Sequence, residues 1–140
     1  MAHEVLQPAG WARPRGYANG IAARGRQVYI AGQIGWDGEC RLVSETFADQ
    51  VRQALTNVVT VLAVAGGRPE HLVRLTWYVT SRDAYYAELQ DVGAAYRAVL
   101  GRHYPAMAVV QVVALMEAGA KVEIEATAVI PGDTVQPGGD

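Results

Sequence analysis

The stretch Ala108 to Met116, "AVVQVVALM", constrains the fold more than any other. It is apolar almost throughout, with Gln111 as the one interruption, so no polar side alternates with an apolar one. A strand of this kind is expected to be covered on both faces. The next ribbon, "KVEIEATAVI" from Lys121 to Ile130, does alternate. Its period puts Glu123 and Glu125 on one face and Val122, Ile124 and Ala126 on the other. At 140 residues the chain suits a single domain of two layers. Helices then cover one face of the sheet, and the other face calls for a second subunit.

The remaining segments fit that plan. Val28 to Gln33 reads as a strand, followed by a tight turn at Asp37-Gly38. Ser44 or Thr46 is placed to cap a helix with apolar residues at Phe47, Val51, Leu55, Val58 and Leu62. Gly66-Gly67 and then Pro69 should stop it. Leu72 to Thr80 reads as a strand, and Asp83 to Leu100 as one helix ending near Gly101. Gly93 weakens that helix by about 1 kcal/mol relative to Ala. The expected order is ββ(β)–α–β–α–β–β, an α+β domain with two helices on one face of a mixed sheet. Residues 1–130 form the domain, the first ten or so as an arm, and the Pro/Gly-rich residues 131–140 form a flexible tail.

Composition narrows the function. Apolar residues make up 51% of the chain and net charge is −2, which supports a folded core and argues against general nucleic-acid binding. The single cysteine, Cys40, cannot build a disulfide framework. No signal peptide and no membrane-spanning run is visible, so the default expectation is a cytoplasmic protein without a membrane partner. His3, His71 and His103 are scattered without metal-ligand spacing, and neither dinucleotide nor phosphate loops are present, so no metal and no cofactor is expected.

Acid–base chemistry by carboxylates, tyrosine and water remains, or binding without chemistry. Glu123 and Glu125 are the acid candidates; the structural alternative for each is a solvent-facing edge or an ion pair between subunits. Arg13, Arg15, Arg24 and Arg26 cluster near the N-terminus. They could hold an anionic substrate through guanidinium forks, stay solvated, or pair across subunits.

Five segments in order, "VYIAGQIGWDGE", "QVRQALTNVVTVLAVAGG", "LVRLTWYVT", "YPAMAVVQVVAL" and "VEIEATAV", resemble the Rid/YjgF reactive-intermediate deaminases, also called the L-PSP endoribonuclease family. The resemblance runs from about Tyr17 to Ile130. It implies a chorismate-mutase-like α+β fold, a homotrimer with sheets packed around an axis, and ligand clefts between subunits. Active members hydrolyse enamines and imines without cofactor or metal. Carried over residue by residue, the cleft tyrosine falls on Tyr17 and the water-positioning carboxylate on Glu123. The Ser-Gly-Gln motif reads Ala31-Gly32-Gln33, and the helix Asn falls near Gly93. The Pro-Ala-Arg motif reads Pro105-Ala106-Met107, so the arginine that grips a substrate carboxylate is replaced by Met107. Each charged hydrogen bond lost that way is worth about 1.5–3 kcal/mol.

Two functions stay open at this point. One is a divergent hydrolytic deaminase for a reactive enamine, imine or related small metabolite, including intermediates of aromatic catabolism. Glu123 would position water, Tyr17 would contact the ligand, and Ala31, Gly32 and Met107 would line the site. Arg13 or Arg15 from the next subunit would replace the missing cation. The alternative is a non-catalytic trimer that binds or senses a small metabolite.

Overall fold

The helical period beginning at Phe47 sets the first layer. In the computed structural model, which describes residues 3–132, α1 runs Phe47–Val64 and buries Phe47, Val51, Ala54, Leu55, Val58 and Leu62 along one stripe. Burying each large side chain contributes about 1.5–3 kcal/mol. Thr46 is the N-cap by backbone geometry, without a side-chain cap bond. Ser44 instead accepts from the Thr46 N–H at 2.9 Å and donates to Asp49 at 2.9 Å, which holds the helix entry. Gly66, at φ +83°, ends the run where the sequence places the stop.

The strands are β1 (Glu4–Leu6), β2 (Gly20–Ala22), β3 (Arg26–Ile34), β4 (Leu72–Val79), β5 (Ala106–Gln111) and β6 (Val122–Ile130). Strands β1 and β2 form a separate antiparallel ribbon. The main sheet has the order β3-β6-β4-β5, with β6 antiparallel to both neighbours and β4 parallel to β5. That parallel pair is joined through helices α2 (Arg82–Ala87) and α3 (Leu89–Leu100), the long connection parallel strands require. Leu75, Trp77 and Val79 of β4 and Val122, Ile124, Ala126 and Ala128 of β6 face the helices and are buried. The alternation read for β6 therefore holds, and a two-layer α+β architecture results.

Two expectations are corrected. The helix expected over 83–100 is broken at Glu88, the C-cap of α2. The Glu88 side chain accepts the Ala48 N–H at 3.2 Å, so a carboxylate from this break serves the positive N-terminal end of α1. The apolar strand expected over 108–116 spans Ala106–Gln111 and lies at the sheet edge. Its partner β4 ends at Val79, paired with Gln111, so the ladder has nothing further to bond. Within one chain this strand is not covered on both faces: Val109 and Val110 are exposed, as are Val113 and Met116 beyond it. Most of the tail, residues 133–140, lies outside the described residues.

Candidate functional site

Glu123 lies on the face of β6 turned away from the helices. It pairs in register with Tyr78 of β4 and Ile34 of β3. The β3 register slips by one residue between Ile30 and Gln33, a bulge containing Ala31 and Gly32. The Glu123 carboxylate rests on Gly32, where a Cβ would collide with its Oε2. Glycine at 32 is thus a condition for the position of Glu123. Among the described residues Glu123 has no hydrogen-bond or ion-pair partner. With Gly32, Tyr78, Val112, Leu115 and Glu125 it lines a recess of about 270 Å³.

Glu125 differs. Two residues along on the same face, it accepts the Tyr78 hydroxyl. That bond, with lesser contributions from desolvation and from the charges of Glu125 and Glu123, holds the Tyr78 pKa above its ordinary value. Tyr78 is therefore kept protonated as a donor to the neighbouring carboxylate.

On the opposite face, a cavity of about 570 Å³ lies between the helix layer and the edge strand. Its walls include Tyr17, Trp77, Tyr85, Tyr96, Tyr104 and Met107. Trp77 and Tyr96 stack at 6.4 Å between centroids, and Tyr96 and Tyr104 at 5.2 Å with planes 7° apart. The Tyr96 hydroxyl donates to His103 O at 2.5 Å, and His103 Nε2 bonds Leu72 O at 2.7 Å, so the ring is fixed by backbone. Burial pushes the pKa of Tyr85 and, further, of Tyr96 upward. The Trp77 Nε1–H is buried without an acceptor among the described residues. Arg15 and Arg97 complete the lining, with no carboxylate among its residues. Tyr17 reaches the cavity because Ala18 bridges Ala106 and donates to Pro105 O at 3.0 Å, tying this loop to the start of β5.

The predicted residues therefore divide between two places. Tyr17, Arg15 and Met107 share the helix-side cavity, whereas Gly32 and Glu123 share the recess on the other face. Ala31 is an exposed bulge residue whose carbonyl accepts from the Gln33 side chain at 3.0 Å. Arg13 lines a neighbouring depression with Trp11, and Tyr17 lines both this depression and the cavity of Arg15. Within one chain Met107 is not beside Glu123, because β4 separates their strands and the two side chains line pockets on opposite faces. Arg15 lines the cavity of Met107 in the same chain. Sequence reading missed Tyr85, Tyr96, Tyr104 and Arg97 as wall residues. Their only signal was an unusual density of tyrosine between Tyr85 and Tyr104. It also missed the Tyr78–Glu125 pair, since β4 and β6 are far apart in the chain. Gly32 carried a readable sign, an isolated glycine within a strand.

Among the described residues, no three His, Cys, Asp or Glu side chains gather as a metal-ligand set. No helix there is long and apolar enough to cross a membrane.

Comparison with known proteins agrees with this fold. The family model described as endoribonuclease L-PSP matches residues 11–130. The human 2-iminobutanoate/2-iminopropanoate deaminase is 34% identical over 105 residues, covering 74% of this chain and 73% of that one. The Salmonella typhimurium protein of the same name is 33% identical over 116 residues, covering 81% and 86%. Among solved structures, YyfB of the Rid family from Yersinia pestis superposes with a TM-score of 0.81 at 32% identity, covering 93% of this chain and all of that one. The YjgF gene product of E. coli has a TM-score of 0.64 at 29% identity, covering 89% and 92%. By sequence and by fold, the chain belongs to the Rid/YjgF family, the group matched by the endoribonuclease L-PSP model.

Proposed function

We propose that this protein hydrolyses the C=N bond of a small reactive imine, or of the enamine in equilibrium with it, in clefts between subunits of a homotrimer. One observation carries the reading: a carboxylate, Glu123, held over Gly32 in a recess of the outer face, with no hydrogen-bond or ion-pair partner among the described residues. The names of the human and Salmonella relatives supply the reaction class. Water adds to the imine carbon, with Glu123 taking its proton. The same carboxyl returns a proton to nitrogen, and the carbinolamine collapses to a carbonyl compound and ammonia. No redox partner is needed for this balance.

The uncovered sheet face supports the assembly. Tyr29 on this face is 73% exposed, and Val113 and Met116 beyond the edge strand are fully exposed. Packing such faces around an axis removes that apolar area from water. It also places the Glu123 recess of one subunit against the Tyr17–Met107 cavity of the next. Arg15 stays in this reading as a ligand contact, with Arg13 as the alternative cation and Ala31 and Gly32 as the backbone wall.

Met107 in the cavity favours one second reading, a trimer that binds a metabolite without turnover, since an apolar side chain there cannot grip a carboxylate. Sedimentation velocity tests the assembly, and ammonia release from freshly generated imines tests the reaction. We expect a trimer and turnover that falls by at least two orders of magnitude in Glu123→Ala. A trimer that releases no ammonia from any imine, yet gains thermal stability from a carbonyl ligand, would establish the binding reading instead.

A further inference from the structure

We propose that Arg97 of α3, together with Arg15, forms the anion-holding part of the helix-side cavity, and that the ligand taken there is an aromatic carboxylate. The proposal rests on the reading that this cavity is the ligand half of the cleft, and it names the ligand class.

Gly93 and Arg97 lie one turn apart on α3, and both line the cavity. A Cβ built on Gly93 would come within 3.2 Å of Arg97 Nη1 and 3.9 Å of its Cζ and Nη2. The guanidinium therefore folds back across the bare glycine, whose space any side chain would contest. The helix tolerates a poor helix former at this position, and the vacated surface is the one the arginine covers. Arg97 has no ion-pair or hydrogen-bond partner among the described residues. Arg15 is the other cation in the wall, and among the described residues no acidic side chain lines the cavity to neutralise the pair. Two unneutralised guanidinium groups beside an apolar wall favour an anion, and their forks match a carboxylate.

The rest of the cavity sets the other half of the ligand. Trp77, Tyr96 and Tyr104 present nearly parallel rings, 17° and 7° apart in successive pairs, and Tyr85 stands edge-on to Trp77 at 88°. Tyr96 is buried, with its hydroxyl on the His103 carbonyl and its ring stacked between Trp77 and Tyr104, so the more open rings of Tyr17, Tyr85 and Tyr104 offer the ligand its aromatic surface. Met107 adds a polarisable side chain suited to an aromatic edge. A volume of about 570 Å³ has room for a ring as well as an acid group. The cation absent at position 107 is thus supplied from the helix, and the methionine serves the ring.

Calorimetric titration with three probes tests this: phenylpyruvate, benzyl methyl ketone (the same ring and carbonyl without the acid), and pyruvate (the acid without the ring). The wild-type protein should bind phenylpyruvate at least tenfold more tightly than either of the others. Arg97→Gln should abolish the advantage over the ketone, Arg97→Lys should keep part of it, and Gly93→Ala should reduce it by displacing the guanidinium. Arg97 is exposed, so these variants are expected to keep the wild-type circular dichroism. Failure of phenylpyruvate to bind, or an Arg97→Gln protein that keeps the tenfold preference, overturns the assignment. Pyruvate binding as tightly as phenylpyruvate overturns its aromatic part. Arg97-dependent binding without ammonia release from the phenylpyruvate imine upholds this assignment and removes only the deaminase reading. Ammonia release unaffected by Arg97→Gln, with unchanged probe affinities, does the reverse.

Discussion

The two faces of the central sheet carry opposite chemistry. The helix-side cavity is aromatic and cationic, with Arg15, Arg97 and four stacked or edge-on rings, and no acid among the described residues. The outer face is acidic and hydroxylic, with Glu123, Glu125 and Tyr78 around a small recess. The groups proposed to hold the ligand and the carboxylate proposed to activate water are both present in one chain and do not meet within it. Alternate residues of a strand point to opposite sides, and a continuous sheet lies between them. In the proposed trimer, a second copy brings the two sets together.

Subunit mixing is the sharpest way to break that comparison. Glu123→Gln and Tyr17→Ala proteins should each be nearly inactive, a loss of about 10²–10⁴-fold for the carboxylate variant. Randomly co-assembled at equal amounts, they should regain activity in about a quarter of the clefts, those joining two intact halves. Ammonia release that stays at the level of the separate variants would show that the two faces do not form one site.

The sheet core is common to both faces, so damage there should not discriminate between them. Leu75 is fully buried on β4. Leu75→Ala should cost about 2–5 kcal/mol, read by urea denaturation, and lower ligand affinity and turnover together. Loss of one function with the other intact would mean that the faces are less coupled than a shared strand requires.

Gly32→Ala acts first on the outer face. Its methyl group contests the space of the Glu123 carboxylate, and misplacing a reacting group by about 1 Å can cost ~10²-fold in rate. We expect turnover to fall by about 10–100-fold and phenylpyruvate affinity to fall by much less, because Arg97 and Arg15 line the other face. Equal losses in both would argue that the bulge supports the whole sheet.

The smallest effect separates the faces by tyrosine titration. The Tyr78 pKa is raised chiefly by its hydrogen bond to Glu125, and those of Tyr85 and Tyr96 chiefly by burial. A raised pKa means that the protonated phenol stabilises the fold fully below the ordinary value near 10, and that this contribution is lost as pH rises through the folded pKa. Glu125→Gln should therefore bring one late tyrosine back toward pH 10 in an ultraviolet titration, leaving Tyr85 and Tyr96 late. If all late tyrosines move together, the transition is global unfolding and the assignment to Tyr78 fails.

Local chemistry explains what could be read in advance. Helix α1 was legible because its apolar residues recur at helical spacing and two glycines follow. β6 was legible because its alternation assigns each residue to a face. The break at Glu88 was not, because its side chain bonds Ala48, forty residues earlier, and no local pattern carries that bond. The apolar run calls for cover on both faces, and in one chain β5 is an edge strand with Val109 and Val110 exposed. Composition carries the need for cover, but its source is not encoded nearby. The same limit applies at the candidate site. Sequence similarity singled out Tyr17, Gly32, Met107 and Glu123 without showing which of them share a pocket.

By itself, the sequence determined the element types, the family, the shared face of Glu123 and Glu125, and the absence of an arginine at position 107. These depend on residue identity and short-range periodicity. Tertiary structure alone decided that β4 separates β5 from β6, that Glu123 and Met107 line pockets on opposite faces, and that Arg97 lies over Gly93 in an aromatic cavity. Strand order and side-chain convergence arise from long-range pairing, whose free energy is shared across the whole sheet rather than held in any one segment.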